Sequence, residues 1–290
     1  MIFLQPKRGS AFMRHLLTVI TVAFCQWTMA SAAQAQLSDD LDVGESMILM
    51  KNLLKDLRRT ADIDQQYSML LRTRETLDEI AASLPRRERE EWERRLQLAI
   101  PHLREPATVH TPDGVTFNFM EVRGKSFYWS DPVTVGSFVE YLNSSRVPQA
   151  AAEAWMDLAD NRIDYNSETR KYTARHLATE LKAVNYSAAA GFAKWLSRRQ
   201  KQRCSLPGAD FVRLVGSGET TCWSSSKWKV DDPLRRENMR MFGVAFRTLV
   251  HSGEPVGELP EARYPNAEIR LVTSIKAAKH FYLKQLQELQ

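Results

Sequence analysis

The stretch from Ala183 to Leu214 sets the tightest limits on what this chain can become. It reads as a short extended run, a helix, a basic loop, and a Leu-Pro turn into a second apolar run. Ser187 precedes Ala188, Ala189 and Ala190, where a side-chain oxygen can cap a helix N-terminus. Phe192, Trp195 and Leu196 recur at i, i+3 and i+4, which puts them on one buried stripe. Arg198, Arg199, Lys201 and Arg203 close the helix, where cations suit the negative end of its dipole. Pro207 and Gly208 turn the chain, and Phe211, Val212, Leu214 and Val215 resume burial.

The N-terminus has a different character. Lys7, Arg8 and Arg14 form a basic region ahead of an apolar run from Leu16 to Cys25. That run is too short for an ordinary membrane span. Ala33-Gln34-Ala35 is a small-x-small site before Gln36, so residues 1–35 read as a signal peptide cleaved between Ala35 and Gln36. Translation from Met13 would leave a more compact signal. The mature protein is then expected in the periplasm, without a transmembrane helix. Loss of the three leader cations lowers the net charge from +5 to +2. Such a balance gives no electrostatic footprint for nucleic acid. Of the 3 cysteines, Cys25 leaves with the leader. Cys204 and Cys222 remain as an even pair in an oxidising compartment, which favours a disulfide. Closing that loop contributes roughly 3 kcal/mol in the chain-entropy description.

Residues 36–105 carry helical spacing and few glycines. Leu41, Met47, Met50, Leu54 and Leu57 make one stripe, followed by a break from Thr60 to Asp64 with Asp64 as a candidate cap. Tyr67, Leu70, Leu71, Leu77 and Ile80 make a second stripe, and a third helix follows Pro85 with Trp92, Leu96 and Ile100. The alternating charges from Arg86 to Arg95, including Glu91 with Arg95, read as a solvated face. These helices cannot bury their stripes singly, so a hairpin or small bundle is expected.

Residues 106–252 read as the main domain. A turn-rich linker runs from Pro106 to Gly114, and the alternation of Val115, Phe117 and Phe119 predicts a strand. Phe127, Tyr128 and Trp129 are expected to fill core, and Ala150 to Leu158 to form a short helix. Asp157 to Asp164 superficially resembles a calcium loop, but the glycine hinge and terminal glutamate are missing. Tyr165 to Leu181 reads as a polar surface excursion, and Met239 to Leu249 as the last core strand with a hinge at Gly243. Residues 253–290 read as a loop to Pro265 and then an amphipathic helix that docks on its own domain.

Three ordered segments resemble the signature of the formylglycine-generating-enzyme-like (sulfatase-modifying-factor) family. Pro132-Val133-Thr134 with Phe138, Tyr141 and Leu142 resembles the family's strand-to-helix step. Ala183-Val184-Asn185-Tyr186-Ser187, then Trp195-Leu196-Ser197, then Leu206-Pro207 with Ala209, Asp210 and Phe211 resembles its central helix and turn. Gly208 stands where the family has Thr-Glu, and Phe211 where it has Trp. Ala245-Phe246-Arg247 resembles the closing Gly-Phe-Arg, with alanine for glycine. The resemblance implies an α+β fold: a reduced C-type-lectin-like formylglycine-generating-enzyme domain, preceded by a helical hairpin or bundle and followed by a C-terminal helix.

It also implies which chemistry to look for. Catalytic members bind copper with two cysteines five positions apart, whereas Lys227 stands five residues after Cys222. One thiolate makes a poor soft-metal site. A related branch uses a three-histidine iron site. Here His102, His110, His176, His251 and His280 show no His-x-x-x-His helical pair. No Gly-x-Ser-x-Gly, His-Glu-x-x-His or phosphate-loop pattern occurs. The expectation is therefore a protein with no catalytic residues, no cofactor and no metal. The exported, catalytically silent branch resembled here acts in type VI secretion. That implies a regulator binding the periplasmic segment of a PpkA-like membrane Ser/Thr kinase, with an outer-membrane lipoprotein as a further partner. The alternatives are a periplasmic enzyme of the same superfamily with non-cysteine chemistry and a generic envelope adaptor.

Overall fold

A computed structural model describes residues 43–216, 220–228 and 246–289. The expected leader, its Ala35–Gln36 cleavage site, Leu41, Gly243 and Ala245 lie outside the described residues. So do Met239 to Ala245 of the expected last core strand.

Three helices open the described chain: α1 (Val43–Leu57), α2 (Ile63–Ile80) and α3 (Arg86–Ala99). Their apolar stripes meet around Met50, Tyr67, Leu70, Leu77, Trp92 and Leu96, as the spacing predicts. The cap of α2 differs from expectation. Asp62 accepts from the Gln65 amide at 2.7 Å, and Asp64 falls inside the first turn, where it accepts a hydrogen bond from the Tyr282 hydroxyl. The charged face of α3 stays in solvent, with Arg95 3.1 Å from Glu91. The buried Gln66 side chain ties the bundle's ends together. Its amide donates to the Leu57 and Thr60 carbonyls at 3.2 and 2.8 Å, and its oxygen accepts from the Arg104 amide at 3.0 Å.

A five-stranded antiparallel sheet follows, built from β1 (Thr108–His110), β2 (Thr116–Val122), β3 (Lys125–Ser130), β6 (Cys204–Ser205) and β10 (Val272–Thr273). Its order is β1-β2-β3-β10-β6. The alternation at Val115, Phe117 and Phe119 is thus a strand, and Tyr128 and Trp129 are buried as core. Arg123 and Gly124 both take positive φ, the backbone of a two-residue hairpin loop between β2 and β3.

Against this sheet pack α4 (Val135–Ser144) and α6 (Tyr186–Gln200). Thr134 caps α4 through the Ser137 amide. Phe138 stacks on Phe192 of α6 at 5.8 Å, and Gly191 leaves room for the Tyr141 ring, which a Cβ there would strike. The cap of α6 is Asn185, not Ser187. Asn185 accepts from the Ala188 amide at 2.9 Å and donates to the Ala154 carbonyl at 3.1 Å, while Ser187 faces solvent. Asn185 prevails because its side chain can bond the α6 N-terminus and α5 (Gln149–Trp155) together.

Three stretches are more ordered than their sequence suggests. The polar region after Tyr165 contains a hairpin of β4 (Ile163–Asn166) and β5 (Lys171–Ala174), turned by Asn166 accepting from the Glu168 and Thr169 amides. Its Tyr172 is buried, with the hydroxyl on the Val147 carbonyl at 2.9 Å. The apolar run after Pro207 is a short helix, α7 (Ala209–Val215), whose Leu214 is exposed. The region after Ser252 is not a plain loop: β9 (Glu254–Glu258) pairs with β8 (Arg247–His251), which pairs with β7 (Thr221–Lys227). Residues 116–122 and 247–251 are both strands, yet they belong to separate antiparallel sheets rather than one mixed sheet.

The C-terminal helix α8 (Ile275–Leu289) joins the two halves. Phe281 stacks on Phe117 of the sheet at 5.8 Å, and Tyr282 meets Tyr67 of the bundle edge-on at 4.8 Å. Lys279 is 1% exposed. Its ammonium donates to the Pro101 carbonyl (3.0 Å), the Leu103 carbonyl and Glu105 (3.0 Å). A boundary at 252/253 therefore cuts the β8–β9 hairpin, and the last segment is integral to both cores. The architecture is α+β.

Candidate functional site

The expected disulfide joins Cys204 to Cys222. In the structure both are free and buried. Cys204 lies in β6 of the five-stranded sheet and Cys222 in β7 of the three-stranded one, each within a different apolar cluster. Burial pushes each thiol up to about 12, so neither offers a thiolate at neutral pH. Beside Cys222 lies the Glu268–Arg270 pair at 2.7 Å, with the Arg270 guanidinium over Trp129. Burial raises the Glu268 carboxyl despite that cation, as expected when desolvation outweighs pairing. Lys227 ends β7 opposite Arg247.

The histidines are scattered. His110 in β1 bonds Thr116 at 2.9 Å, His251 in β8 bonds Thr221 at 2.8 Å, and His280 sits on α8. Among the described residues no group of three His, Cys, Asp or Glu is placed to hold a metal ion. Asp157 caps its own turn, accepting from the Ala159 and Asp160 amides at 2.9 and 3.1 Å. Among the described residues no helix is long and apolar enough to cross a membrane.

The basic turn after α6 is where concave surface and charge coincide. Lys201 ends the helix in the left-handed conformation, φ 52°. Arg199 folds back onto the β1–β2 turn, 2.5 Å from the buried Asp113 and 3.2 Å from Glu140. Gln200 donates to Asp113 and accepts from Lys284 of α8 at 3.1 Å. These bonds fix the turn and leave Arg198, Lys201 and Arg203 unpaired among the described residues.

A depression lies on each side of the turn. One is an open groove of about 560 Å³ along α6 and β6, lined by Lys194, Ser197, Arg198, Arg203 and Ser205, with Tyr186 at one end. Here β6 is the sheet edge, and Ser197 covers it by accepting from the Cys204 amide at 2.9 Å and donating to its carbonyl at 2.7 Å. The other is a cleft of about 430 Å³ between bundle, turn and C-terminal helix. Among the described residues no aspartate or glutamate lines either depression. The sequence marked Arg198, Arg199, Lys201 and Arg203 as partners of the helix dipole. It gave no sign of the remote Arg74, His280 and Lys284, except that the last two share one helical face at i and i+4.

No family model matches the chain, and no curated protein matches it.

Proposed function

We propose that this protein is a non-catalytic periplasmic binding protein that promotes activation of a membrane Ser/Thr kinase controlling type VI secretion. Its body is read as a reduced formylglycine-generating-enzyme-like domain of the C-type-lectin-like kind. Support for that fold comes from the segments that carry the resemblance. Val133, Phe138 and Leu142 from the first and Val184, Phe192 and Leu196 from the second share one core with Leu206 of the turn. Support for binding over thiol chemistry comes from Cys204 and Cys222, buried and held in the thiol form.

The observation that carries the reading is the groove beside the basic turn. Lys194, Arg198 and Arg203 face it, with no carboxylate among the described residues that line it. Such a surface favours an acidic partner segment, through rate and register more than through affinity alone. The test is capture of the purified periplasmic segment of a co-encoded kinase by the mature chain, compared with Lys194→Glu and Arg198→Glu. Capture by the wild type and loss in both charge reversals is the expected result. No capture by the wild type removes the kinase from the reading, and undiminished capture by the variants removes the groove.

A further inference from the structure

The cleft on the far side of the basic turn has a composition the groove lacks. Its floor is apolar: Leu70 and Leu71 of α2, Ile100, and Phe281 and Leu283 of α8. Its rim is cationic: Arg74 of α2, Lys201 of the turn, and His280 and Lys284 of α8. At about 430 Å³ it falls in the range of small-ligand sites, where an apolar lining supplies area and a few polar groups fix orientation.

Arg74, Lys201 and Lys284 of this rim form no ion pair with a described residue. Arg74 makes no hydrogen bond or ion pair with any described residue, and Lys284 spends a single bond, on the Gln200 side-chain oxygen. Arg199 at the same rim is already held by Asp113 and Glu140. The uncharged Gln97 of α3 and Gln287 of α8 complete the polar edge.

We propose that this cleft binds a single-chain alkyl carboxylate, with the carboxylate among Arg74, His280 and Lys284 and the chain over the leucine floor. A guanidinium and an ammonium lining one cleft suit a carboxylate, and Arg74 can present two parallel N–H groups to it. The apolar floor recovers chain area that neither a bare anion nor a sugar would cover.

Binding is coupled to a proton. His280 is held below the ordinary histidine value of 6.5, first by burial and then by Lys276, Lys284 and Arg74. The charged groups that act on it, Lys276 and Lys284 from its own helix and Arg74 from α2, are all cations. A carboxylate seated there relieves that repulsion and draws a proton onto His280. By reciprocity, protonating His280 tightens the complex by the same factor. Alkyl carboxylates stay ionised well below neutrality, so the pH dependence belongs to the protein.

The test is calorimetric titration of the mature chain with decanoate, decanol and acetate as probes. Decanoate is expected to bind at least about tenfold more tightly than either control, because only it uses both rim and floor. Binding should tighten several-fold from about pH 8 to about pH 6, with proton uptake seen as a dependence on buffer ionisation heat. Arg74→Gln, at an exposed side chain, should weaken decanoate about tenfold without a change in melting temperature. His280→Gln should abolish the pH dependence. Equal binding of decanol and decanoate, an acetate affinity matching decanoate, or no decanoate binding overturns the proposal. So does an unchanged affinity in Arg74→Gln.

Discussion

The helical bundle of residues 43–103 and the sheet body that follows are held by different kinds of contact. In the bundle, α1 meets α2 and α2 meets α3 across short turns, so neighbours in sequence are neighbours in space. In the body, the Leu271 amide donates to the Ser130 hydroxyl across 141 residues, and β10 sits between strands from distant parts of the chain. Local pairing closes small loops and is visible in periodicity. Distant pairing costs more loop entropy and leaves little trace in any one window. The C-terminal helix serves both kinds of core, through Phe281 in the sheet body, Leu283 in the bundle and Tyr282 in both.

The sharpest way to break that contrast is to cut the shared helix out of each core separately. Phe281→Ala removes a fully buried ring stacked on Phe117, and should cost about 4 kcal/mol in denaturant unfolding. Lys279→Ala leaves the Pro101 and Leu103 carbonyls and Glu105 without their buried partner, at about 3 kcal/mol. Hydrogen exchange should then show bundle amides around Tyr67 losing protection before those of β2 and β3. Simultaneous loss would mean that the two regions open as one unit.

Smaller changes sharpen the comparison inside the body. Asn185→Ala should cost about 2 kcal/mol, and Ser187→Ala less than about 0.5 kcal/mol, by thermal unfolding. The reverse order would return the cap to the serine. The pH dependence of the bundle interface follows from His280, whose folded value lies below 6.5. A depressed histidine binds its proton more readily in the unfolded chain. Stability should therefore fall as pH drops below about 6.5 and level off once the folded value is passed. His280→Gln should flatten that slope in a melting-temperature series. Smallest of all is the effect of reductant. With Cys204 and Cys222 unjoined, dithiothreitol should leave the melting temperature unchanged, and both thiols should label only after denaturation. A bridged pair would instead lose roughly 3 kcal/mol on reduction.

Legibility follows the same division. The α1–α3 stripes, the β2 alternation and the α6 helix are all visible in the sequence, because each needs only its own window. The β4–β5 hairpin was hidden by polar residues whose work is done by Asn166 and Tyr172. The two residues of β10 carry no strand pattern; their place comes from Trp129 on one side and Ser205 on the other. Of the candidate surfaces, the basic turn was in view and the cleft beside it was not. Positions 74, 201, 280 and 284 are brought together only by the docking of the last helix. The sheet each cysteine joins was equally hidden: an even count says nothing of Cys204 falling in β6 and Cys222 in β7.

The short strand at Val272–Thr273 has a consequence for the order of events during synthesis. The β1–β2–β3 meander is complete once Ser130 has been made, but its outer edge stays bare until Val272 and Thr273 have been added. The ribosome must therefore deliver the central plank last. Until then, the nascent chain carries an open seam that any helper or competing strand can occupy.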